Sequence, residues 1–540
     1  MKLQNKKGFM YMTFKNMATL FLMLVLSVCN GGNSTIKIDY SDVGNLPTQF
    51  DGFGKTLAYG DFNNDTYIDL AIGIPGEDGP FENVGAVLII NGSELGLSSE
   101  PLPTGGRISP FFALREFDGF GKSLATGDFN CDGISDLAIG VPDADIEVNG
   151  NIIQNAGKVF VYKGGENGLL AISEITIIDR SFSFNDTTRI EAGDSFGLSL
   201  AVGNFNGDKF EGHDCDDLAV GAPFHNFPNG GDDAGEVSVY YGARNTNGLN
   251  ASNPTNIIHQ GLPDLINTNH SFDYFGFSLA AGNFSANNVY DDLAIGIPQK
   301  NVVNSSGNTI SDAGALNVLY GGEDGILTFD SASEYFSQLN LAGDLENGDN
   351  FGYSLAAGNI NNSDGDDLIV SSPDESIGQV DNVGAINIIY ANSNKLAIEG
   401  NQIIYPNDGF VDESFENTRF GATIVTGDIN QDGRHDLVVG VPLYDNGFGA
   451  FYTINGVPSG QIDPASTMLY ENRFLYSGGV NDGFATALIV TDLGLGFNDL
   501  IVGISSDIYE ENGERAGSIR AITLFRSLFP HDLIFTNSFE

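Results

Sequence analysis

One repeat recurs through almost the whole chain, and it constrains the fold more than any other feature of the sequence. The first copy reads FDGFGKTLAYGDFNNDTYIDLAIGIP from Phe50, and the second reads FDGFGKSLATGDFNCDGISDLAIGVP from Phe117. Self-similarity at a roughly constant period is the signature of a repeat architecture. Seven copies are marked by phenylalanines that lie 64 to 79 residues apart. The markers are Phe53, Phe120, Phe196, Phe275, Phe351, Phe420 and Phe484.

Each copy predicts four short β-strands. In copy two a small-residue strand, Lys122 to Gly127, is followed by an Asp/Asn/Gly loop and an apolar strand, Leu137 to Val141. A third strand begins near Gly157, and a fourth covers Ile175 to Ile178. β-branched and aromatic runs bounded by Gly, Pro, Asn and Asp are typical of strands. We therefore predict an all-β fold, a seven-bladed β-propeller of four-stranded antiparallel blades.

The two ends of the chain indicate how the ring closes. The seventh copy ends with its third strand, which begins at Ser518, whereas Ile36 to Asp39 precedes the first marker and has no blade of its own. We predict that this N-terminal strand forms the outer strand of the last blade, which spares the ring an open edge. The segment from Arg526 to Glu540 is the alternative occupant of that edge.

The N-terminus predicts export. Lysines at positions 2, 6, 7 and 15 precede an apolar run from Ala18 to Val28, which suits a secretory signal and is too short to span a bilayer comfortably. The predicted organisation is a signal peptide over 1–32, the propeller over 33–525 and a short tail over 526–540. LSVC, ending at Cys29, resembles a lipoprotein box and would make Cys29 a lipid anchor. We expect a secreted or cell-surface protein without a transmembrane segment in the mature chain, and an uncleaved N-terminal anchor is the alternative.

The charge balance excludes one class of partner and leaves two interpretations of the acidic residues. The formal net charge is −48, from 71 Asp and Glu against 23 Lys and Arg, and such a surface repels nucleic acids. The carboxylates solvate the surface, or some of them cluster as ligands for hard cations, and both interpretations can hold together. Cys131 and Cys215 occupy equivalent places in neighbouring copies, and a disulfide and two free thiols both remain open.

The loop between the first and second strands carries the pattern D-x-N-x-D-x-x-x-D in copies one, two and six. Calcium takes six to eight oxygen ligands, and alternate side chains of a curled loop can converge on one ion. The seventh residue of the loop would offer its backbone carbonyl. The alternative is that Asp and Asn simply form turns. The predicted ligands are Asp61, Asn63, Asp65, Tyr67, Asp69, Asp128, Asn130, Asp132, Ile134, Asp136, Asp428, Asn430, Asp432, Arg434 and Asp436.

The equivalent loops of the other copies have fewer carboxylates. Copy three has Asn204, Asn206 and Asp208 followed by an insertion, and copies four and five replace further acids by Asn and Ser. Fewer charges attract a divalent ion less strongly, so hydrogen-bonded turns are the alternative there. In copy seven, Asp492 and Asp499 are out of register, and we expect no ion.

The paired FG and G-x-P signatures, such as Phe53-Gly54 with Gly73 to Pro75, resemble FG-GAP repeats. These repeats build the propeller of integrin α subunits and of related bacterial surface and secreted proteins. The resemblance implies calcium in the acidic loops of a lower face and a ligand-contacting upper face. Copies five and seven depart from it, with SSP at Ser371 to Pro373 and GIS at Gly503 to Ser505.

The expected function is binding rather than catalysis. Longer, more varied loops lie opposite the acidic loops, for example Asp143 to Ala156 and Gln299 to Ala313, and loops on a rigid scaffold commonly recognise partners. We expect a calcium-binding adhesion module for an extracellular glycan or protein ligand. No set of residues forms a catalytic motif, and the G-x-S-x-G match at Gly193 falls on a repeat marker. A structural surface protein and a polysaccharide-active enzyme are the alternatives.

Overall fold

The fold is taken from a computed structural model of the chain. It describes residues 34–39 and 51–523 except for 95, 98–105, 111–112, 170–174, 181–189, 228–230, 244–247, 250–255, 263–264, 266–269, 287–288, 327–332, 393–394, 407–414, 465–467, 472–482, 494–497 and 506–517. The predicted signal peptide, the proposed anchor at Cys29 and the tail over 526–540 lie outside the described residues.

The described part of the chain is built from short β-strands. The first are β1 (Ser34–Asp39), β2 (Thr56–Gly60), β3 (Asp69–Ile74), β4 (Ala86–Ile90), β5 (Arg107–Ile108), β6 (Ser123–Gly127), β7 (Asp136–Val141), β8 (Ile146–Val148), β9 (Asn151–Ile153), β10 (Lys158–Tyr162), β11 (Thr176–Ile178), β12 (Leu200–Gly203), β13 (Lys209–Phe210), β14 (His213–Asp214), β15 (Asp217–Ala222), β16 (Glu236–Tyr240) and β17 (Asn256–Ile258).

The second half continues the same pattern. Its elements are β18 (Leu279–Gly282), β19 (Asp292–Ile297), β20 (Val302–Val303), β21 (Thr309–Ile310), β22 (Ala315–Leu319), β23 (Ser333–Phe336), β24 (Leu355–Gly358), β25 (Asp367–Ser372), β26 (Ala385–Ile389), β27 (Gln402–Ile404), β28 (Thr423–Gly427), β29 (Asp436–Val441), a short helix α1 (Tyr444–Gly447), β30 (Ala450–Ile454), β31 (Met468–Glu471), β32 (Phe484–Asp492), β33 (Asn498–Ile504) and β34 (Ser518–Thr523).

Six blades, numbered one to six, each consist of four strands that follow one another along the chain. Their orders are β2-β3-β4-β5, β6-β7-β10-β11, β12-β15-β16-β17, β18-β19-β22-β23, β24-β25-β26-β27 and β28-β29-β30-β31. Every pairing in these sheets is antiparallel, and β2 pairs with β3 from Thr56↔Gly73 to Gly60↔Asp69. The prediction of an all-β propeller with four-stranded antiparallel blades is confirmed.

One more four-stranded sheet, called the terminal sheet below, combines the two ends of the chain. Its order is β32-β33-β34-β1, and β1 pairs antiparallel with β34 from Ser34↔Thr523 to Asp39↔Ser518. β32 contacts both β28 of blade six and β2 of blade one. The terminal sheet therefore lies between the last blade and the first.

The FG and G-x-P signatures have a common physical cause, which is the packing of one blade on the next. A side chain at Gly73 would meet the carbonyl oxygen of Gly121 at 2.4 Å, so only glycine allows the FG turn of blade two to approach. The Thr56 hydroxyl donates to the same carbonyl at 2.6 Å. The seven marker phenylalanines are buried completely between the sheets. The repeat therefore encodes contacts between blades as well as strands within them.

The antiparallel order of the strands gives the propeller two distinct faces. The first-to-second and third-to-fourth loops lie on the face that we call lower, and the FG turns and second-to-third loops lie on the upper face. Three short hairpins, β8-β9, β13-β14 and β20-β21, form within segments predicted as loops. In the described part of the chain, no helix has the length and apolar character needed to cross a membrane.

Candidate metal loops and ligand-binding face

The D-x-N-x-D-x-x-x-D loops of blades one, two and six curl in the same way. In loop one, the Asp65 N–H donates to Asp61 Oδ1 at 3.1 Å and the Thr66 N–H to Asp61 Oδ2 at 2.8 Å. The Tyr67 N–H donates to Asp65 Oδ1 at 2.9 Å. These bonds orient the carboxylates at the first and fifth positions of the loop, Asp61 and Asp65. They also fix the backbone of the seventh residue, whose carbonyl is a predicted ligand.

Loops two and six repeat this geometry. The N–H groups of Asp132 and Gly133 donate to the two oxygens of Asp128, and those of Asp432 and Gly433 to the two oxygens of Asp428. The seventh residues behave alike, because Ile134 donates to Asp132 and Arg434 to Asp432. The fourth and sixth residues have positive φ in all three loops: Asn64, Thr66, Cys131, Gly133, Gln431 and Gly433.

The last aspartate of the loop has a structural role that the sequence analysis missed. Asp69 Oδ2 accepts the Phe62 N–H at 3.0 Å, and its Oδ1 accepts the Gly92 N–H from the lower loop after the third strand at 2.8 Å. The same pair of bonds forms in all six blades, including those with few loop carboxylates. The aspartates are Asp69, Asp136, Asp217, Asp292, Asp367 and Asp436.

Burial and neighbouring acids disfavour the ionised form of these last aspartates. Burial, followed by the charges of Asp65 and Asp61, raises the pKa of Asp69 to about 6. In loop two, burial and the charges of Asp132 and Asp128 raise the pKa of Asp136 to about 8. A divalent cation among these carboxylates would offset both effects.

The residues present fit a calcium ion. The donors of each loop are all oxygens, from three carboxylates, one amide and the seventh-residue carbonyl, which is the hard-oxygen set that calcium prefers. Each carboxylate oxygen has two lone pairs, so the hydrogen bonds leave acceptor sites free for a metal. In loop six the Arg434 guanidinium contacts Asp432 Oδ2 and brings a positive charge into the loop. The described residues of loops one and two include no arginine or lysine.

A disulfide joins loop two to blade three. Cys131, between Asn130 and Asp132, is bonded to Cys215, which follows the β13-β14 hairpin. The hairpin is the insertion in the loop of copy three, and the Cys215 N–H donates to the Asp208 carbonyl at 3.1 Å. The disulfide alternative, which the sequence left open, is therefore the one found in the structure.

The upper face presents half-buried aromatic side chains of blades three to five, next to an arginine of blade six. Phe224 contacts Tyr274 edge to face with ring centroids 5.0 Å apart, and Phe277 contacts Tyr353 at 5.2 Å. The Arg419 guanidinium lies 5.1 Å from the centre of the Tyr353 ring. We call these five residues the aromatic row.

Asp374 holds the arginine of the aromatic row. The Arg419 Nη2 donates to Asp374 Oδ2 at 2.9 Å, and the Asn350 Nδ2 donates to the same oxygen at 2.8 Å. The row therefore combines ring faces with charged and amide groups, which suits ligands that have both apolar and polar surfaces.

Comparison with known proteins agrees with this architecture. The model of the FG-GAP repeat matches residues 120–162 and 420–454. The chain contains FG-GAP repeats. These two ranges contain the second strands and acidic loops of blades two and six, which are two of the three blades with a complete loop pattern.

The curated relatives include phospholipases and integrin subunits. Phosphatidylinositol-glycan-specific phospholipase D from Bos taurus is 25% identical over 406 residues, covering 72% of this chain and 43% of the relative. The Mus musculus protein of the same name is 27% identical over 454 residues, covering 81% and 48%. Integrin alpha-PS5 from Drosophila melanogaster is 29% identical over 243 residues, covering 44% and 21%. The chain spans less than half the length of each of these relatives.

The FG-GAP turns also build buried polar clusters on the upper face that the sequence analysis did not predict. Glu191, Asp194 and His225 of blade three have potential metal-ligand atoms within 4.8 Å of one another. However, Arg180 Nη1 donates to Asp194 Oδ2 at 2.9 Å, and Arg180 Nη2 to Glu236 Oε1 at 3.0 Å. This cluster already contains a positively charged side chain, that of Arg180.

Proposed function

We propose that the protein is an extracytoplasmic, calcium-binding β-propeller that binds a glycan or protein ligand on its upper face. The aromatic row is the observation that supports this most strongly. Half-buried rings on a rigid scaffold offer apolar area at little cost in side-chain entropy, and Arg419, Asp374 and Asn350 add polar groups beside them. Integrin alpha subunits from Drosophila melanogaster and Xenopus laevis are among the relatives of this chain, which agrees with the resemblance drawn from the repeats.

Substitution of the aromatic row tests the proposed binding face. Tyr353→Ala removes the ring that contacts both Phe277 and Arg419, so binding to a ligand found on a glycan or extracellular-protein array should weaken at least tenfold. Phe210→Ala is the matched control, because Phe210 is an exposed aromatic residue in the β13-β14 hairpin of the lower face. Equal binding by the parent and Tyr353→Ala would contradict the assignment of this face.

Calcium in the loops of blades one, two and six is the second part of the proposal. Its support is the shared curl of the three loops, their oxygen-only donors and the concentration of carboxylates. Asp61, Asp128 and Asp428 would be held ready by loop N–H groups, and the ion would neutralise the acids that surround it. Loops three, four and five have fewer carboxylates, and we propose that there the last aspartate maintains the turn without an ion.

We further propose that the terminal sheet is a seventh blade and closes the ring. It is supported by the β1-β34 pairing and by a contact of the FG-GAP type, because a side chain at Gly503 would meet the Gly54 carbonyl oxygen at 2.1 Å. Deletion of residues 33–45 should then lower the melting temperature strongly, since it exposes the β34 edge. Deletion of 526–540 is the control. A larger drop in melting temperature from that deletion than from deletion of 33–45 would favour the tail as the closing segment.

Export is supported by the N-terminal sequence and by the disulfide, which persists mainly in oxidising compartments. Fractionation of cells that express the full chain tests this part of the proposal. A protein found wholly in the cytoplasm with free thiols at Cys131 and Cys215 would contradict it.

An enzyme is the second candidate, because four relatives are phosphatidylinositol-glycan-specific phospholipases D. In the described residues, Ser195 of the G-x-S-x-G match lies in the FG turn with positive φ, and the nearby His225 is paired with Asp194. We therefore propose a non-catalytic module. Release of glycan from a phosphatidylinositol-glycan substrate by the purified chain would overturn this, and inactivity together with ligand binding would support it.

A further inference from the structure

Three successive blades place a polar cluster at the same point of the upper face, between one blade and the next. Each cluster contains the buried aspartate that lies two residues before the marker phenylalanine. Its second member lies two positions after the proline of the G-x-P or SSP signature. Its third member lies two positions beyond the outer strand of the preceding blade. The sets are Asp194, His225 and Arg180 in blade three, Asp273, Lys300 and Gln260 in blade four, and Asp349, Glu375 and Gln338 in blade five.

In blades three and four a side-chain cation neutralises the aspartate. Arg180 Nη1 donates to Asp194 Oδ2 at 2.9 Å. Lys300 Nζ donates to Asp273 Oδ2 at 2.7 Å and to Gln260 Oε1 at 3.4 Å. Buried charges are normally paired, because an unpaired one loses its hydration without compensation. These two clusters satisfy that requirement within the chain.

Blade five has a carboxylate where blade four has the lysine ammonium. Glu375 stands at the place of Lys300, and both Glu375 and Asp349 are only 1% exposed. Among the described residues, neither forms a salt bridge. Burial raises the pKa of Glu375, and the negative charges of Asp349, Glu346 and Asp344 raise it further. The cluster therefore contains two buried acids and lacks the cation of its neighbours.

Gln338 provides a second, independent indication of a cation site. Its Nε2 donates to Glu375 Oε2 at 2.5 Å, so the amide lies against the carboxylate. Its Oε1 has no hydrogen-bond donor in the structure, although the residue is only 2% exposed. The equivalent oxygen of Gln260 accepts from the Lys300 ammonium. A buried carbonyl oxygen without a donor is costly unless a cation or water satisfies it.

We propose that Asp349, Glu375 and Gln338 bind a divalent metal cation of the calcium type, which takes the place of the Lys300 ammonium in the neighbouring blade. All three donors are oxygens, and two carboxylates match the charge of one such ion. The site lies on the face opposite the acidic loops and beside Asp374, which holds Arg419 of the aromatic row. It would stabilise the upper face at the junction between blades four and five.

Counting bound ions by equilibrium dialysis against calcium tests this site separately from the loops. Glu375→Lys restores the residue type of blade four, and it should bind one ion fewer per chain than the parent while melting at the same or a higher temperature. A loop variant, Asp65→Asn with Asp132→Asn and Asp432→Asn, should retain the Glu375-dependent ion. The loop and upper-face proposals can thus fail independently.

Glu375→Gln is the second variant, because it keeps the side-chain shape if the lysine cannot be accommodated. It should also lose one ion, and Asp364→Asn, an exposed acid in loop five, should lose none. Unchanged ion counts in both Glu375 variants would overturn the proposal and would show that the two buried acids are neutralised by a proton instead.

Discussion

Replacement of Asp367 by alanine tests whether the last aspartate of each loop maintains the fold without a metal. Asp367 lies in loop five, for which we propose no ion. Its Oδ2 accepts the Ile360 N–H at 3.1 Å, and its Oδ1 accepts the Ala391 N–H at 2.8 Å. Both donors are buried, and each buried donor without a partner costs about 1–3 kcal/mol. We expect Asp367→Ala to lower the free energy of unfolding by about 3 kcal/mol, within the range for two lost bonds.

Urea denaturation of the parent, Asp367→Ala and Asp364→Ala measures this effect. Asp364 is an exposed acid of the same loop, and its substitution should change stability by no more than about 0.5 kcal/mol. Chelator should not alter the loss of unfolding free energy in Asp367→Ala, because we propose no ion in this loop. A variant as stable as the parent would refute the structural role of the aspartate.

The loss should also depend on pH in a defined direction. Burial raises the pKa of Asp367 to about 7, whereas an aspartate in an unfolded chain has a pKa of about 3.9. The folded state therefore binds the proton more tightly, and the stabilisation is fully present below about pH 4 and declines as pH rises through about 7. The difference between the parent and Asp367→Ala should be larger at pH 5 than at pH 8, and the opposite order would contradict the raised pKa.

Three further predictions follow from the loops and the disulfide. Thr66→Gly should stabilise the protein by about 1 kcal/mol, because the β-branched Thr66 has a φ of 75° where loops two and six have glycine; a loss of stability on thermal melting would contradict the strain. Cys131→Ser with Cys215→Ser should cost about 2–4 kcal/mol, since the disulfide closes a separation of 84 residues; equal urea midpoints would contradict this. The same double variant should bind calcium more weakly in titrations, because Cys131 lies within loop two, and unchanged affinity would show that the loop is ordered without the bond.

The repeat predicted the strands well because both the burial and the blade-to-blade contacts recur in every copy. Gly73 and the equivalent glycines are fixed by backbone atoms of the next blade, so glycine recurs at this position in every copy except copy five, which has Ser371. The second strands could be located from their apolar runs, since β3 and its counterparts are buried on both faces.

Other features could not be predicted, because they depend on residues that are far apart in sequence. Gln338 of one blade contacts Glu375 of the next, and no local pattern joins them. The hairpins β8-β9 and β20-β21 fall in segments whose Asn and Gly content also suits irregular loops. The equivalent positions of Cys131 and Cys215 in the sequence were compatible with both a disulfide bond and two free thiols.

The structural role of the last aspartate had a signal in the sequence that was open to another interpretation. Asp217, Asp292 and Asp367 persist in copies that have lost other loop carboxylates. A residue that served calcium alone would have no reason to remain there. The prediction that Asp69 and its equivalents are ligands was drawn from the three complete loops and missed the hydrogen bonds that all six blades share.

Thermal melting with and without calcium, in the parent and in the loop variant Asp65→Asn with Asp132→Asn and Asp432→Asn, tests the central claim most directly. We predict that calcium raises the melting temperature of the parent and that chelator reverses the rise, because an ion that binds only the folded loops stabilises them by mass action. The loop variant should lose most of that response. A parent whose melting temperature is the same in calcium and in chelator would contradict the account.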